Sequence, residues 1–175
     1  MIDFQNTYTE GVLKLEGAEQ ALDEGRRLLD AARANNRPVI HVVHDAGPGT
    51  PYDVTAPIGK IVSRVAPVGD EPTLVKNVPN SFTGTDLQER LQTLDAKELV
   101  LAGFMTHMCV NSTARCAFEL GYRCTVVGGA TATRALPATK AGVVVLDAKT
   151  LKESSLCELA DMFAVVVDTV DDLKK

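Results

Sequence analysis

Three short runs in this chain are apolar at almost every position: Val39-Ile40-His41-Val42-Val43-His44, Leu99-Val100-Leu101-Ala102 and Ala164-Val165-Val166-Val167. A strand with one wet face alternates polar and apolar residues, whereas a continuous apolar strand needs cover on both faces. Segments of helical period lie between these runs. Ala18, Leu22, Gly25, Leu29 and Ala32 recur as one helix face until Arg37-Pro38 ends the pattern. Leu87, Leu91 and Leu94 form a second face behind Thr85-Asp86-Leu87-Gln88, which fits a capping box. Asn111 to Leu120 makes a third helix, stopped by Gly121, and Leu151, Ser155, Leu159 and Met162 mark a fourth. Strands alternating with helices predict a three-layer α/β/α domain with a mostly parallel, about six-stranded, Rossmann-like sheet spanning residues 1–175 as a single unit.

The remaining strands are shorter. Met1-Ile2 reads as the end of a first strand that is shortened, with Asp3 at its carboxyl end. Thr73-Leu74-Val75-Lys76 is a strand ending on a lysine, and Tyr122 to Val127 is another, followed by a small-residue loop from Gly128 to Thr133. Val143-Val144-Val145-Leu146 fits a short strand or an extended connection, Ile58 to Val65 a short helix, and Asp171 to Lys175 a frayed tail. The segments Asp45 to Pro57 and Asn77 to Gly84 are loops at strand carboxyl ends.

At 175 residues the chain is long enough to bury a core without a disulfide or structural metal. A net charge of −5 without a basic cluster argues against a nucleic-acid or anionic-membrane partner. Cys109, Cys116, Cys124 and Cys157 contain no C-x-x-C pair, which points to free thiols and a reducing, cytoplasmic location. Cys116, Cys124 and Cys157 read as buried packing residues. No secretory leader pattern or membrane-length apolar run is present in these residues.

Parallel α/β sheets place their working groups outside the strand carboxyl ends, near the switch in strand order. Asp3, Lys76 and Cys109 all fall at such ends. Cys109 sits on a strand-to-helix turn, where free N–H groups and the helix dipole favour a thiolate. An ordinary thiol is protonated at neutral pH and needs a base or a positive field. Asp3 suits the first role and Lys76 the second.

These residues carry a resemblance. Ile2-Asp3-Phe4-Gln5-Asn6 resembles the opening D-x-Q-N motif of the isochorismatase-like cysteine hydrolases. Lys76 with Asn80-Ser81-Phe82 and Thr85-Asp86-Leu87 is similar to their lysine segment. Gly103-Phe104-Met105-Thr106-His107-Met108-Cys109-Val110 is similar to their nucleophile motif, G-x-x-T-x-x-C-V. The resemblance implies a catalytic Asp3, Lys76 and Cys109 triad, a cis Phe104–Met105 bond, and an oxyanion hole from the backbone N–H groups of Met105 and Cys109. It also implies a homodimer or homotetramer. Gln5, His44, Phe82, Phe104 and His107 are the pocket candidates, while His41 reads as a core or interface residue.

Three departures accompany the likeness. The first strand is short; Gly129 stands where an Asp is common, which implies a more mobile loop; and His44-Asp45-Ala46-Gly47 lacks the second histidine of the nicotinamidase metal site. One histidine without a partner at usable spacing does not make a zinc site, so no metal or cofactor is expected. The expected activity is hydrolysis of a small amide or related C–N bond through a thioester. The rival is a catalytically silent subunit that binds a small molecule or assists assembly. A nucleotide-binding module ranks lower, because G-x-G-x-x-G is missing after the first strand.

Overall fold

The computed structural model describes residues 1–137 and 146–174. Its strands are β1 (His41–His44), β2 (Thr73–Lys76), β3 (Glu98–Phe104), β4 (Arg123–Ala132) and β5 (Val165–Val167), and its helices are α1 (Ala18–Ala34), α2 (Leu87–Thr93), α3 (Asn111–Glu119) and α4 (Ala148–Met162). β1 pairs with β2, and β4 lies between β3 and β5, all in parallel. Ile2 joins the two groups through parallel bridges to Val42 and to Gly103. Counting that segment, six parallel strands run in the spatial order β2, β1, Ile2, β3, β4, β5.

The joint is tight. Ile2 N–H donates to Ala102 O at 2.8 Å, Phe104 N–H to Ile2 O at 3.0 Å, and Asp3 N–H to Val42 O at 2.9 Å. A Cβ on Gly103 would lie 1.9 Å from Ile2 O, and Gly103 has a φ of +141°, so a side chain there collides with the central strand. From this centre the chain moves outward to β1 and β2, then returns to β3 on the other side. The reversal is a topological switch point, and Asp3 stands at its carboxyl end.

Period-two alternation sends neighbouring residues to opposite layers. Ala102 and Val127 pack with Leu22, Leu29 and Phe4 on the α1 side. Leu101 and Val126 pack with Leu87, Leu91, Ala114 and Leu159 on the side of α2, α3 and α4.

Several expectations are corrected. Gly128 to Ala132 continue β4 instead of forming a loop, because Thr131 and Ala132 pair with Gly103 and Phe104 across a register shift. Gly129 is part of that strand: its N–H donates to Asp168 O at 2.8 Å, and a Cβ would approach the same oxygen to 2.4 Å. There is no room for an aspartate here. Residues 58–65 form two separate 3-10 turns, Pro57–Gly59 and Ser63–Val65, divided where Ile61 bridges to Gln5. The capping box does not close: Asp86 is the N-cap without a side-chain bond, and Thr85 Oγ1 takes the Leu87 N–H at 3.3 Å. The tail turns into a 3-10 helix, Val170–Lys174, docked by an Arg27–Asp171 ion pair at 2.7 Å. Cys124 is buried as expected, but Cys116 is half-buried and Cys157 exposed. Positions 143–145 of the ambiguous valine run lie outside the described residues.

Candidate active site

β2 ends on Lys76, and its ammonium reaches the centre of the sheet. Nζ donates to Asp3 Oδ2 at 2.7 Å and to Cys109 Sγ at 3.3 Å. The aspartate comes from the central segment, the lysine from β2, and the cysteine from a five-residue π-helical turn, Thr106–Val110, between β3 and α3. Such single-turn π segments recur at functional sites. The Phe104–Met105 peptide bond ahead of the turn is cis.

All three side chains are withdrawn from solvent: Asp3 is 0%, Lys76 1% and Cys109 4% exposed. Asp3 has φ +50°, an uncommon conformation for a residue with a Cβ. Two backbone bonds and one ion pair hold it there, an over-determination typical of working sites. Its second oxygen, Oδ1, is buried and has no partner in hydrogen-bond geometry. A carboxylate with one oxygen committed to a lysine and the other open is an acceptor in waiting.

The electrostatics differ from the expected free thiolate. Burial first, and then the Asp3 charge, push the Cys109 thiol up to about 12; Lys76 offsets this in part. Burial likewise raises the Asp3 carboxyl above its usual range, against the pull of Lys76. The position after a strand does supply a helix start, but removal from water outweighs it. At rest the proton stays on sulfur.

The surroundings divide the other candidates. His44 Nδ1 lies 3.4 Å from Lys76 Nζ, and its ring meets Tyr52 edge to face at 4.9 Å. Gln5 is fully buried and grips β1: its amide accepts from His44 N–H at 2.9 Å and donates to His44 O at 2.9 Å and Gly59 O at 2.8 Å. Phe104 is buried against Phe4 and Tyr8. Phe82 stacks on Tyr122 over α2 and α3. His107 is half-buried, with Nδ1 against Thr133 Oγ1 and Nε2 without a partner. His41 lies in the core, 3.0 Å from Glu71.

Sequence reasoning missed Tyr8 and Tyr52, whose hydroxyls meet at 3.2 Å beside His44. An aromatic within the Gly- and Pro-rich loop after β1 was the available signal for Tyr52; Tyr8 had none. Among the described residues no group of three or more His, Cys, Asp or Glu is placed to hold a metal ion. A cavity of about 1010 Å³ lies at the opposite, amino end of the strands and includes none of the trio.

An isochorismatase domain model matches residues 1–171. The chain is 34% identical over 172 residues to the secreted isochorismatase effector Isc1 of Verticillium dahliae, covering 98% of this chain and 87% of that protein. It is 32% identical over 138 residues to streptothricin hydrolase of Streptomyces noursei, covering 79% of this chain and 50% of that one. It superposes on a crystal structure of an isochorismatase from Pseudomonas putida KT2440 with a TM-score of 0.93 and 39% identity, over 98% of this chain and 87% of the other. The chain belongs to the isochorismatase family of hydrolases.

Proposed function

We propose that the protein hydrolyses a small amide or related C–N bond with Cys109 as nucleophile, Asp3 as proton carrier and Lys76 as electrostatic anchor. The observation that supports this most is the Lys76 ammonium bonded at once to Asp3 and Cys109. Support for the bond type comes from a relative named nicotinamidase 3 in Arabidopsis thaliana, 35% identical over 100 residues, covering 57% of this chain and 44% of that protein.

The steps follow from the charges. Asp3 Oδ1 takes the thiol proton as Sγ attacks the carbonyl carbon, which spares the chain a lone buried thiolate. Lys76 stays charged and offsets the anion. The tetrahedral oxygen is placed at the backbone N–H groups of Met105 and Cys109; loss of one such donor costs about 3 kcal/mol in other enzymes. Asp3 returns the proton to the leaving nitrogen, the C–N bond breaks, and a thioester remains. Water attacks the thioester, Asp3 accepts its proton, and the acid leaves with the thiol restored. The assembly is a dimer or tetramer. A reducing compartment accords with four free cysteines, although Isc1 is described as secreted. Among the described residues no helix is long and apolar enough to cross a membrane.

One observation favours the silent-subunit reading: the trio is closed off, with Cys109 at 4% exposure. Ammonia release from nicotinamide, carbamoyl amines and other small amides, compared between the native chain and Cys109→Ser, separates the two. Turnover lost in the variant supports the hydrolase. Equal rates in both remove Cys109 from the chemistry, and ligand binding without turnover in the native chain establishes the silent reading.

A further inference from the structure

The Lys76 ammonium has three N–H groups and no acceptor of its own. Asp3 Oδ2 receives one, at 2.7 Å, and Cys109 Sγ a second, at 3.3 Å. The remaining polar contact is His44 Nδ1 at 3.4 Å. Because lysine offers only donors, that contact is attractive only when Nδ1 carries the lone pair. The ring is set up for this tautomer. In that tautomer the proton of the neutral ring sits on Nε2, and Nδ1 faces Lys76 Nζ. Gln5 fixes the His44 backbone through both of its polar groups. Tyr52, backed by Tyr8, packs edge to face against the ring.

We propose that His44 is a positioning residue: its neutral imidazole accepts the third Lys76 N–H through Nδ1 and so fixes the ammonium between Asp3 and Cys109. This rests on the reading of those three residues as one catalytic unit. A lysine chain has four rotatable bonds, so two acceptors on one side leave it free to swing. The third makes a tripod. The role also explains why a strand-end histidine with no companion ligand is built into the rim.

The charged groups that act on His44 are Lys76, Asp3 and Asp45, and the Tyr52 ring is its aromatic neighbour. Burial first, then Lys76, hold its pKa below the ordinary value, against the opposite pull of Asp3 and Asp45. The imidazole is therefore neutral at ordinary pH. Protonation in acid removes the acceptor and places a second cation against Lys76.

Two substitutions distinguish positioning from wall-building. His44→Phe keeps a ring of similar size and removes the acceptor, whereas His44→Asn sacrifices the ring and keeps an acceptor near the Nδ1 position. The readout is the Cys109 alkylation rate with iodoacetamide from pH 5 to 11 in the intact chain, with Cys116, Cys124 and Cys157 as internal controls. His44→Phe should slow Cys109 about tenfold, the equivalent of one ordinary hydrogen bond, and His44→Asn should stay within about threefold of the native rate. A native rate in His44→Phe, or equal slowing in both variants, overturns the proposal. The imidazole ¹⁵N shifts of His44 give an arm independent of cysteine chemistry. Nδ1 should show the acceptor form, and Lys76→Met should move the His44 titration upward. A protonated Nδ1, or an unmoved titration, overturns the contact itself. If the contact is present but Cys109→Ser turns over amides as fast as the native chain, then the catalytic reading has failed and the positioning contact stands.

Discussion

The two ends of β3 show how one strand serves opposite demands. At its amino end Val100 is 45% exposed and borders the apolar cavity of about 1010 Å³, lined also by Leu28, Leu29, Leu87 and Leu91. Two residues on, Ala102 is 0% exposed, because Ile2 pairs there and the sheet is continuous. The carboxyl end is thus dry and paired around buried charge, while the amino end is loosely covered and keeps its charges, such as the Glu98–Arg123 pair at 2.6 Å, in solvent. Burial of charge is costly unless it is matched by partners. Packing is concentrated where Asp3, Lys76 and Cys109 meet, the end at which the proposed chemistry lies.

The largest expected effect is functional and confined to the carboxyl end. Cys109→Ala should reduce amide turnover by more than about a thousandfold, roughly 4 kcal/mol in the barrier, since the nucleophile itself is removed. The fold should be retained, because only one sulfur atom is lost and the Lys76–Asp3 ion pair at 2.7 Å stays in place. Retained turnover, measured by ammonia release, defeats the assignment of the nucleophile.

Gly103→Ala tests whether the two ends are mechanically joined. Its Cβ meets Ile2 O at 1.9 Å, so the central segment must shift and carry Asp3 with it. Chemical denaturation should show a loss of about 3 kcal/mol or more, and turnover should fall with it, the signature of a strained backbone and broken ladder. Stability lost with full activity would mean that Asp3 does not depend on the Ile2 pairing.

The third effect is a pH dependence of stability near β1. Burial holds His41 down to about 4, against the pull of Glu71. Its folded pKa lies below the unfolded value near 6.5, so the unfolded chain binds the extra proton, and stability falls as pH drops from about 6.5 towards 4. The loss is on the order of 3 kcal/mol, and His41→Asn should flatten that slope in denaturation curves. An unaltered slope assigns the acid sensitivity elsewhere.

Leu91→Ala, on the cavity wall, should give the smallest change, about 2 kcal/mol in stability. The side chain already borders open space, which puts the cost at the low end for leucine truncation. Turnover per folded molecule should be unchanged. A larger cost would show that the amino end is better packed than its cavity suggests.

Much of this organisation is legible in the chain. The strand Thr73–Lys76 ends on its lysine because β-branched and apolar residues stop there and turn residues begin. The motifs around Asp3, Lys76 and Cys109 fall on one rim because parallel strands leave no other place for them. What was not legible depends on partners distant in sequence. Gly128-Gly129 reads as a loop until the Asp168 carbonyl appears against Gly129. The positive φ of Asp3 and the Gln5 grip on His44 arise from β1, 39 residues from Gln5. The thiol proton was misjudged for the same reason: helix position is a local property, and burial is not.

In the proposed mechanism Cys109 keeps its proton until Asp3 removes it during attack. Residue-resolved alkylation of Cys109 across pH, in the native chain and in Asp3→Asn, tests this most directly. Because the Asp3 charge raises the Cys109 pKa, the native thiol should titrate well above pH 9 and that of Asp3→Asn lower, with no amide turnover in the variant: a more acidic thiol in a dead enzyme. A native Cys109 already ionised below pH 8, or an Asp3→Asn protein that still turns over, would contradict it.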